Sequence, residues 1–201
     1  LVLGGTNGSL TSTGPNGLLL NPGGTLLLDN REYNHTNRVH SGASVNFQGG
    51  TLTFLGLDNA ASVELLSNAT LSSGASSIAI TNGSGLASVD LIFTNVAAAA
   101  GATVHFLSSD PAALGGTGFA PRVRFLARVA GAMGFATVNG TNFPFYDITN
   151  GVRVLSSNTA PLLEFDGGRG QTGTNVVFSA TNATDTINGA RSINTLKIAA
   201  P

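Results

Sequence analysis

The sequence predicts an all-β chain: a right-handed, single-stranded parallel β-helix, or β-solenoid, with one non-repeat aromatic excursion. Three observations carry that prediction. A short unit recurs: Gly23-Gly24-Thr25-Leu26-Leu27-Leu28 returns as Gly49-Gly50-Thr51-Leu52-Thr53-Phe54. Within each unit apolar and polar residues alternate, the period of two that turns one face of a strand inward. Gly, Asn, Ser and Asp separate the units at intervals of roughly 10–13 residues, which is turn chemistry.

Taken in order, the apolar-x-aromatic or apolar-x-Leu unit reads Thr25-Leu26-Leu27-Leu28, Ser44-Val45-Asn46-Phe47, Thr51-Leu52-Thr53-Phe54 and Thr103-Val104-His105-Phe106. It returns as Arg122-Val123-Arg124-Phe125 and Asn175-Val176-Val177-Phe178. Further strands are expected at 63–66, 77–80, 89–93, 152–155 and 193–198. The alanine run 97–100 lies between Asn95 and Gly101 and is too short for a free-standing helix; a tight turn is expected there. Short strands at this spacing suit a sandwich, a barrel or a solenoid. The repeated Gly-Gly-Thr units favour the solenoid, where coils stack at about 4.8 Å and like residues form interior ladders. The Gly-Gly pair is then a coil corner, a place where glycine turns without steric cost.

The rhythm breaks between residues 126 and 152, which gather Met133, Phe135, Phe143, Pro144, Phe145 and Tyr146. The expected organisation is therefore solenoid coils over 1–125, an aromatic excursion over 126–152 packed on the flank as a loop or small hairpin, and further coils over 153–201. Leu1 opens in mid-pattern and Pro201 follows a strand-like run, so a segment of a longer repetitive chain is expected.

Composition narrows the functions. Only 9% of the 201 residues are charged and the net charge is −1, against about 25% charged in ordinary soluble domains. No basic field exists to attract nucleic acid. Cysteine is absent, so neither a disulfide framework nor a thiolate metal site can form. No apolar run is long enough for a membrane-spanning helix.

Candidate sites are few. Glycoside cleavage needs two or three convergent carboxylates, and the only close pair among the ten is Glu164 and Asp166. Alternation places both on one strand face, which equally describes a solvated edge. The loop from Asp166 to Gly173 lacks the Lys-Ser/Thr of a phosphate loop and the repeated aspartates of calcium-binding repeats. His35 and His40 lie in a polar segment over 30–42 whose only carboxylate is Glu32; a metal would want a third ligand. His105 faces outward if Val104 and Phe106 face inward. Arg122 and Arg124 share a strand face that could meet an acidic polysaccharide. Phe143, Phe145 and Tyr146 could stack on sugars or plug the core. Six Asn-x-Ser/Thr triplets begin at Asn7, Asn34, Asn68, Asn82, Asn139 and Asn182. No cofactor is expected.

The Gly-Gly-Thr-Leu units resemble the autotransporter-associated β-strand repeat proteins. So do Leu26-Leu27-Leu28-Asp29-Asn30 with Asn37-Arg38, and Ala100-Gly101-Ala102-Thr103-Val104-His105-Phe106. The run Phe135-Ala136-Thr137-Val138-Asn139-Gly140-Thr141-Asn142-Phe143, with Tyr146-Asp147 and Asn150-Gly151-Val152-Arg153, is similar to a connector of that family. Ile187-Asn188-Gly189 followed by Ser192-Ile193-Asn194-Thr195-Leu196 likewise resembles a connector that recurs in that family. The resemblance implies a bacterial secreted or surface protein of right-handed parallel β-helix type, passenger-like or fibre-like, without a shared enzymatic activity. The expected role is a structural or adhesive rod at the cell surface, whose partners are further copies of itself or extracellular polysaccharide. A carbohydrate-binding module and a polysaccharide lyase or hydrolase, the latter dependent on Asp166, are the alternatives.

Overall fold

The computed structural model describes residues 1–155 except 14–16, 111–112 and 141, together with three short strands further along the chain. Among the described residues there is no helix. One sheet holds six parallel strands in the order β1 (Val2–Leu3), β3 (Thr25–Asp29), β5 (Thr51–Leu55), β7 (Ala75–Thr81), β9 (Thr103–Ser108) and β12 (Ala136–Val138). A second holds five: β10 (Arg122–Phe125), β8 (Ser88–Ala98), β6 (Ala61–Leu71), β4 (Val45–Phe47) and β2 (Leu18–Leu20). From β2 to β10 the chain visits the two sheets alternately and pairs in parallel each time it returns. That is a parallel β-solenoid. A separate antiparallel sheet is made of β11 (Gly131–Ala132), β13 (Pro144–Asp147) and β14 (Gly151–Val154). Strands β15 (Leu162–Glu164), β16 (Asn175–Phe178) and β17 (Thr195–Ile198) form a parallel sheet of their own.

The register explains why the recurring units fold this way. Leu26 pairs with Leu52, Leu52 with Ile78, Ile78 with Phe106 and Phe106 with Val138, giving one interior ladder. Leu3, Leu28, Phe54 and Ile80 give a second. All of these side chains are buried, and each buried Leu, Ile or Phe contributes roughly 1.5–3 kcal/mol. On the second sheet Leu20, Phe47 and Leu71 form a rung series, and Leu66, Phe93 and Phe125 another. Between the two sheets the chain turns at Gly49, whose φ of 94° suits glycine. A Cβ on the neighbouring Gly50 would meet Leu20 at 2.7 Å.

Three expectations need correction. The strand expected at 63–66 is the eleven-residue β6, and Ser62, Glu64 and Leu66 point inward while Val63 and Leu65 are only half-buried. The alanine run does not turn as a whole. Ala97 and Ala98 continue β8 because Thr70 and Leu71 of the previous coil offer ladder partners, and the turn follows, closed by the Ala102 N–H on the Ala99 carbonyl at 3.1 Å. Nor is 126–152 wholly outside the repeat. Ala136–Val138 keeps the alternating pattern and joins the six-stranded sheet beside β9.

Among the described residues the antiparallel sheet lies beside β10, the last strand of the five-stranded sheet. Leu126 N–H donates to Phe93 O in the previous coil, so the N–H and C=O of Phe125 point to the free edge of β10, where a next parallel strand would lie. The Tyr146 hydroxyl fills that place. It accepts from Phe125 N–H at 2.9 Å and donates to Phe125 O at 2.6 Å. β14 lies close against β10, since a Cβ on Gly151 would fall 2.2 Å from Val123 O.

Candidate functional site

The polar segment 30–42 interrupts the second sheet's wall between coils. In β6, Glu64 occupies an interior ladder position that Leu91 and Val123 occupy in the following two coils. Its carboxylate has no strand beside it on the earlier side. Instead it accepts the backbone N–H of Arg38 at 2.8 Å and of Val39 at 2.7 Å. Thus a buried side chain satisfies two donors that a regular coil would satisfy with backbone, as buried N–H groups require. Burial of Glu64 disfavours its charge and pushes its pKa up to about 7, although the two N–H bonds and the nearby Arg38 charge favour the carboxylate.

Arg38 is fully buried as well. Its Nε donates to Asn30 Oδ1, one terminal nitrogen to Gly8 O at 2.8 Å, and the other to Gly5 O at 3.0 Å and Tyr33 O at 2.9 Å. One guanidinium therefore ties the first coil to the segment 30–42. Desolvation lowers its pKa, and the charges of Asp29 and Glu64 oppose that shift. The network continues through Asn30 to Asn34, whose Oδ1 also accepts from the Ser62 hydroxyl at 2.9 Å. Ser62 in turn accepts from Leu57 N–H at 3.1 Å.

Above this network lies an open cleft of about 410 Å³. Its sides are Ser9, Thr11 and Ser41, with His35, His40 and Asn37, and Leu10 supplies an apolar surface. Leu10 and Val39 form a parallel bridge, held by Leu10 N–H to Arg38 O at 2.7 Å and His40 N–H to Leu10 O at 2.9 Å. Asn37 has a φ of 58°, tolerable for Asn, and its Oδ1 accepts from Leu65 N–H at 3.2 Å. The cleft therefore rests on fixed backbone. Among the described residues no group of three or more His, Asp or Glu is placed to hold a metal ion.

No family model, curated protein or solved structure matches the chain. Its chemistry must be read from its own residues.

The structure spreads out the residues that the sequence singles out. Arg124 makes a two-pronged ion pair with Asp90, with Nε to Oδ1 at 2.8 Å, and Asp90 raises its pKa. Arg122 donates to Gly118 O at 2.8 Å and Gly116 O at 3.3 Å. Both arginines thus serve the chain's own oxygens rather than forming a free cationic face. Tyr146 is buried, 1% exposed, inside an aromatic cluster with Phe125, whose ring also stacks on Phe93 at 5.7 Å between centroids. A buried ring cannot offer a face to a sugar. Phe143 and Phe145 remain half-buried. His105 faces outward as alternation demands, its Nδ1 in contact with Thr137 Oγ1 on the next coil. Of the Asn-x-Ser/Thr sites, the Asn34 and Asn82 amides donate to the chain's own carbonyls, whereas Asn7 and Asn68 are exposed. Asp166, the loop after it and Asn182 lie outside the described residues, as does the side chain of Glu164.

Sequence reasoning missed Arg38 and Glu64. The usable signal for Glu64 was the phase of its strand: Leu66 is aromatic-paired in the next coils, and two steps back from Leu66 is Glu64. For Arg38 the nearby partners Asn30 and Tyr33 gave no signal of burial, because the Gly5 and Gly8 carbonyls that complete its site come from the first coil.

Proposed function

We propose that this chain is part of a structural or adhesive extracellular protein of bacteria, a β-solenoid rod or fibre subunit at the cell surface that works without catalysis. The supporting observation is the continuous interior ladder: each coil of the described stack uses its buried residues to hold its neighbours, the quasi-one-dimensional logic of a spacer. The sparse charge fits a surface solubilised by hydroxyl and amide groups. The likeness to autotransporter-associated repeats belongs to the same proposal.

Protease shaving of intact cells that make the full-length protein tests it. Release of peptides from this segment, with cytosolic markers retained, is expected. Protection of the segment until the cells are lysed would refute it. The fibre variant has its own test in sedimentation velocity across a concentration series, where growth in size with concentration is expected. A monomer throughout that series would eliminate self-assembly while leaving the rod.

A further inference from the structure

We propose that the cleft over the Arg38–Glu64 network is a binding site for one neutral sugar unit of a glycan. The proposal is independent of whether the chain is a rod.

The first argument is chemical. The cleft offers both donors and acceptors, and among the described residues no Asp, Glu, Lys or Arg lines it. His35 Nδ1 lies 2.9 Å from Thr36 O, so that nitrogen carries a proton, and in the neutral imidazole Nε2 is then the acceptor. His40 Nδ1 accepts Gly42 N–H at 3.0 Å, so Nε2 carries the proton and is left as a donor. One acceptor and one donor on two imidazoles that line the same cleft are what a vicinal diol matches, since each hydroxyl can donate and accept. The hydroxyls of Ser9, Thr11 and Ser41 add further partners of the same kind. Leu10 gives the apolar surface that a sugar's C–H face needs, and the half-exposed Tyr33 ring lies 6.4 Å from that of His35. The volume is within the usual range for small-ligand sites.

The second argument is electrostatic. Among the described residues no Lys or Arg lines the cleft, and the Arg38 donors beneath it are turned inward onto Asn30 and three backbone carbonyls. An anionic ligand would find no guanidinium or ammonium group to pair with there. This separates a neutral sugar from a phosphate, a sulfate or a uronic acid.

The third argument is preorganisation. A surface segment of this kind ordinarily needs no buried Arg and Glu beneath it. Fully satisfied buried networks fix one conformation, and a fixed polar site binds a weakly held ligand with less ordering entropy lost. The network holds His35, Asn37 and His40 in one arrangement against Leu10.

The test is an amide NMR titration of the full chain with glucose, galactose, mannose, fucose and N-acetylglucosamine, each alone and with chelator present. Saturable shifts confined to residues 9–11 and 33–42 are expected with at least one sugar. His35→Ala and His40→Ala should each weaken binding about tenfold, the effect of losing one good hydrogen bond, whereas Phe145→Ala should bind as the parent does. Overlay of the remaining amide spectrum shows that the variants are folded. No saturable shift with any of the five sugars would overturn the proposal. So would shifts that survive both histidine variants, or shifts at these residues produced by zinc chloride and by none of the sugars.

Discussion

Glu64 makes the solenoid's stability depend on pH in an unusual direction. Its carboxyl, ordinarily titrating at 4.5, is raised to about 7 by burial. The folded state therefore holds the proton more tightly than the unfolded chain. Stability from this group is fully present below pH 4.5, falls as pH rises toward 7, and is gone above it. At about 1.36 kcal/mol for each pKa unit, the loss between pH 5 and pH 8 is roughly 2–3 kcal/mol. Urea unfolding at the two pH values reads it directly. With an m-value of about 2 kcal/mol/M, the midpoint should drop by about 1 M. Glu64→Gln removes the titration, although it sets an amide donor against one backbone N–H, at a cost of about 1–3 kcal/mol. The variant should thus be less stable at pH 5 and should lose most of the parent's pH slope, since groups common to both proteins cancel. Equal slopes in parent and variant would refute the reasoning. A carboxyl-carbon NMR titration placing Glu64 near its ordinary value would do the same.

Other expectations follow from the same geometry. Tyr146→Phe removes the hydroxyl that completes Phe125 and should lower unfolding stability by about 1–3 kcal/mol; a parent-like urea midpoint would show that the hydroxyl does not cap the edge. Gly151→Ala and Gly101→Ala form a matched pair, with φ of 82° and 81°. An added Cβ clashes with Val123 O at the first and meets nothing at the second. Gly101→Ala should cost about 1 kcal/mol and Gly151→Ala clearly more, so equal midpoint shifts would contradict the close packing of β14 on β10. Arg38→Met leaves Gly5, Gly8 and Tyr33 carbonyls without their donor and should speed amide hydrogen exchange at Leu10 and His40, while Ile78 and Phe106 stay protected. Unchanged exchange at Leu10 would mean that the guanidinium does not hold the first coil.

Much of the fold was legible in the sequence because a period of two repeats with fixed phase. Leu52 and Phe54 are inward, Thr51 and Thr53 outward, and their counterparts one coil away obey the same rule. The rule failed where phase could not be set locally. Ser62-Val63-Glu64-Leu65-Leu66 invites a reading with Val63 and Leu65 inside, and only pairing with Val89, Leu91 and Phe93 shows the reverse. Tyr146 was legible as an aromatic but not as a cap, because its partner is the backbone of Phe125. Arg122 and Arg124 share one outer strand face, yet their availability was decided by Asp90, which coil stacking brings to Arg124, and by a turn that folds the Gly116 and Gly118 carbonyls back onto Arg122. The cleft was the least visible feature: Ser9 and His40 meet only because one coil stacks on another.

Glu64 has a bearing on how so repetitive a chain finds its own alignment. Leu26, Leu52 and Ile78 could trade neighbours with little loss, so a stack displaced by a whole coil competes with the native one, and minimal frustration requires something that tells coils apart. An interior carboxylate matches only the coil whose backbone presents two free N–H groups, and in any displaced stack it would be buried without them. Removal of its partners would then be penalised by several kcal/mol. A single mismatched side chain thus acts as a key that numbers the coils, and chains in which Glu64 is replaced by leucine should populate misaligned stacks on refolding that the parent sequence rejects.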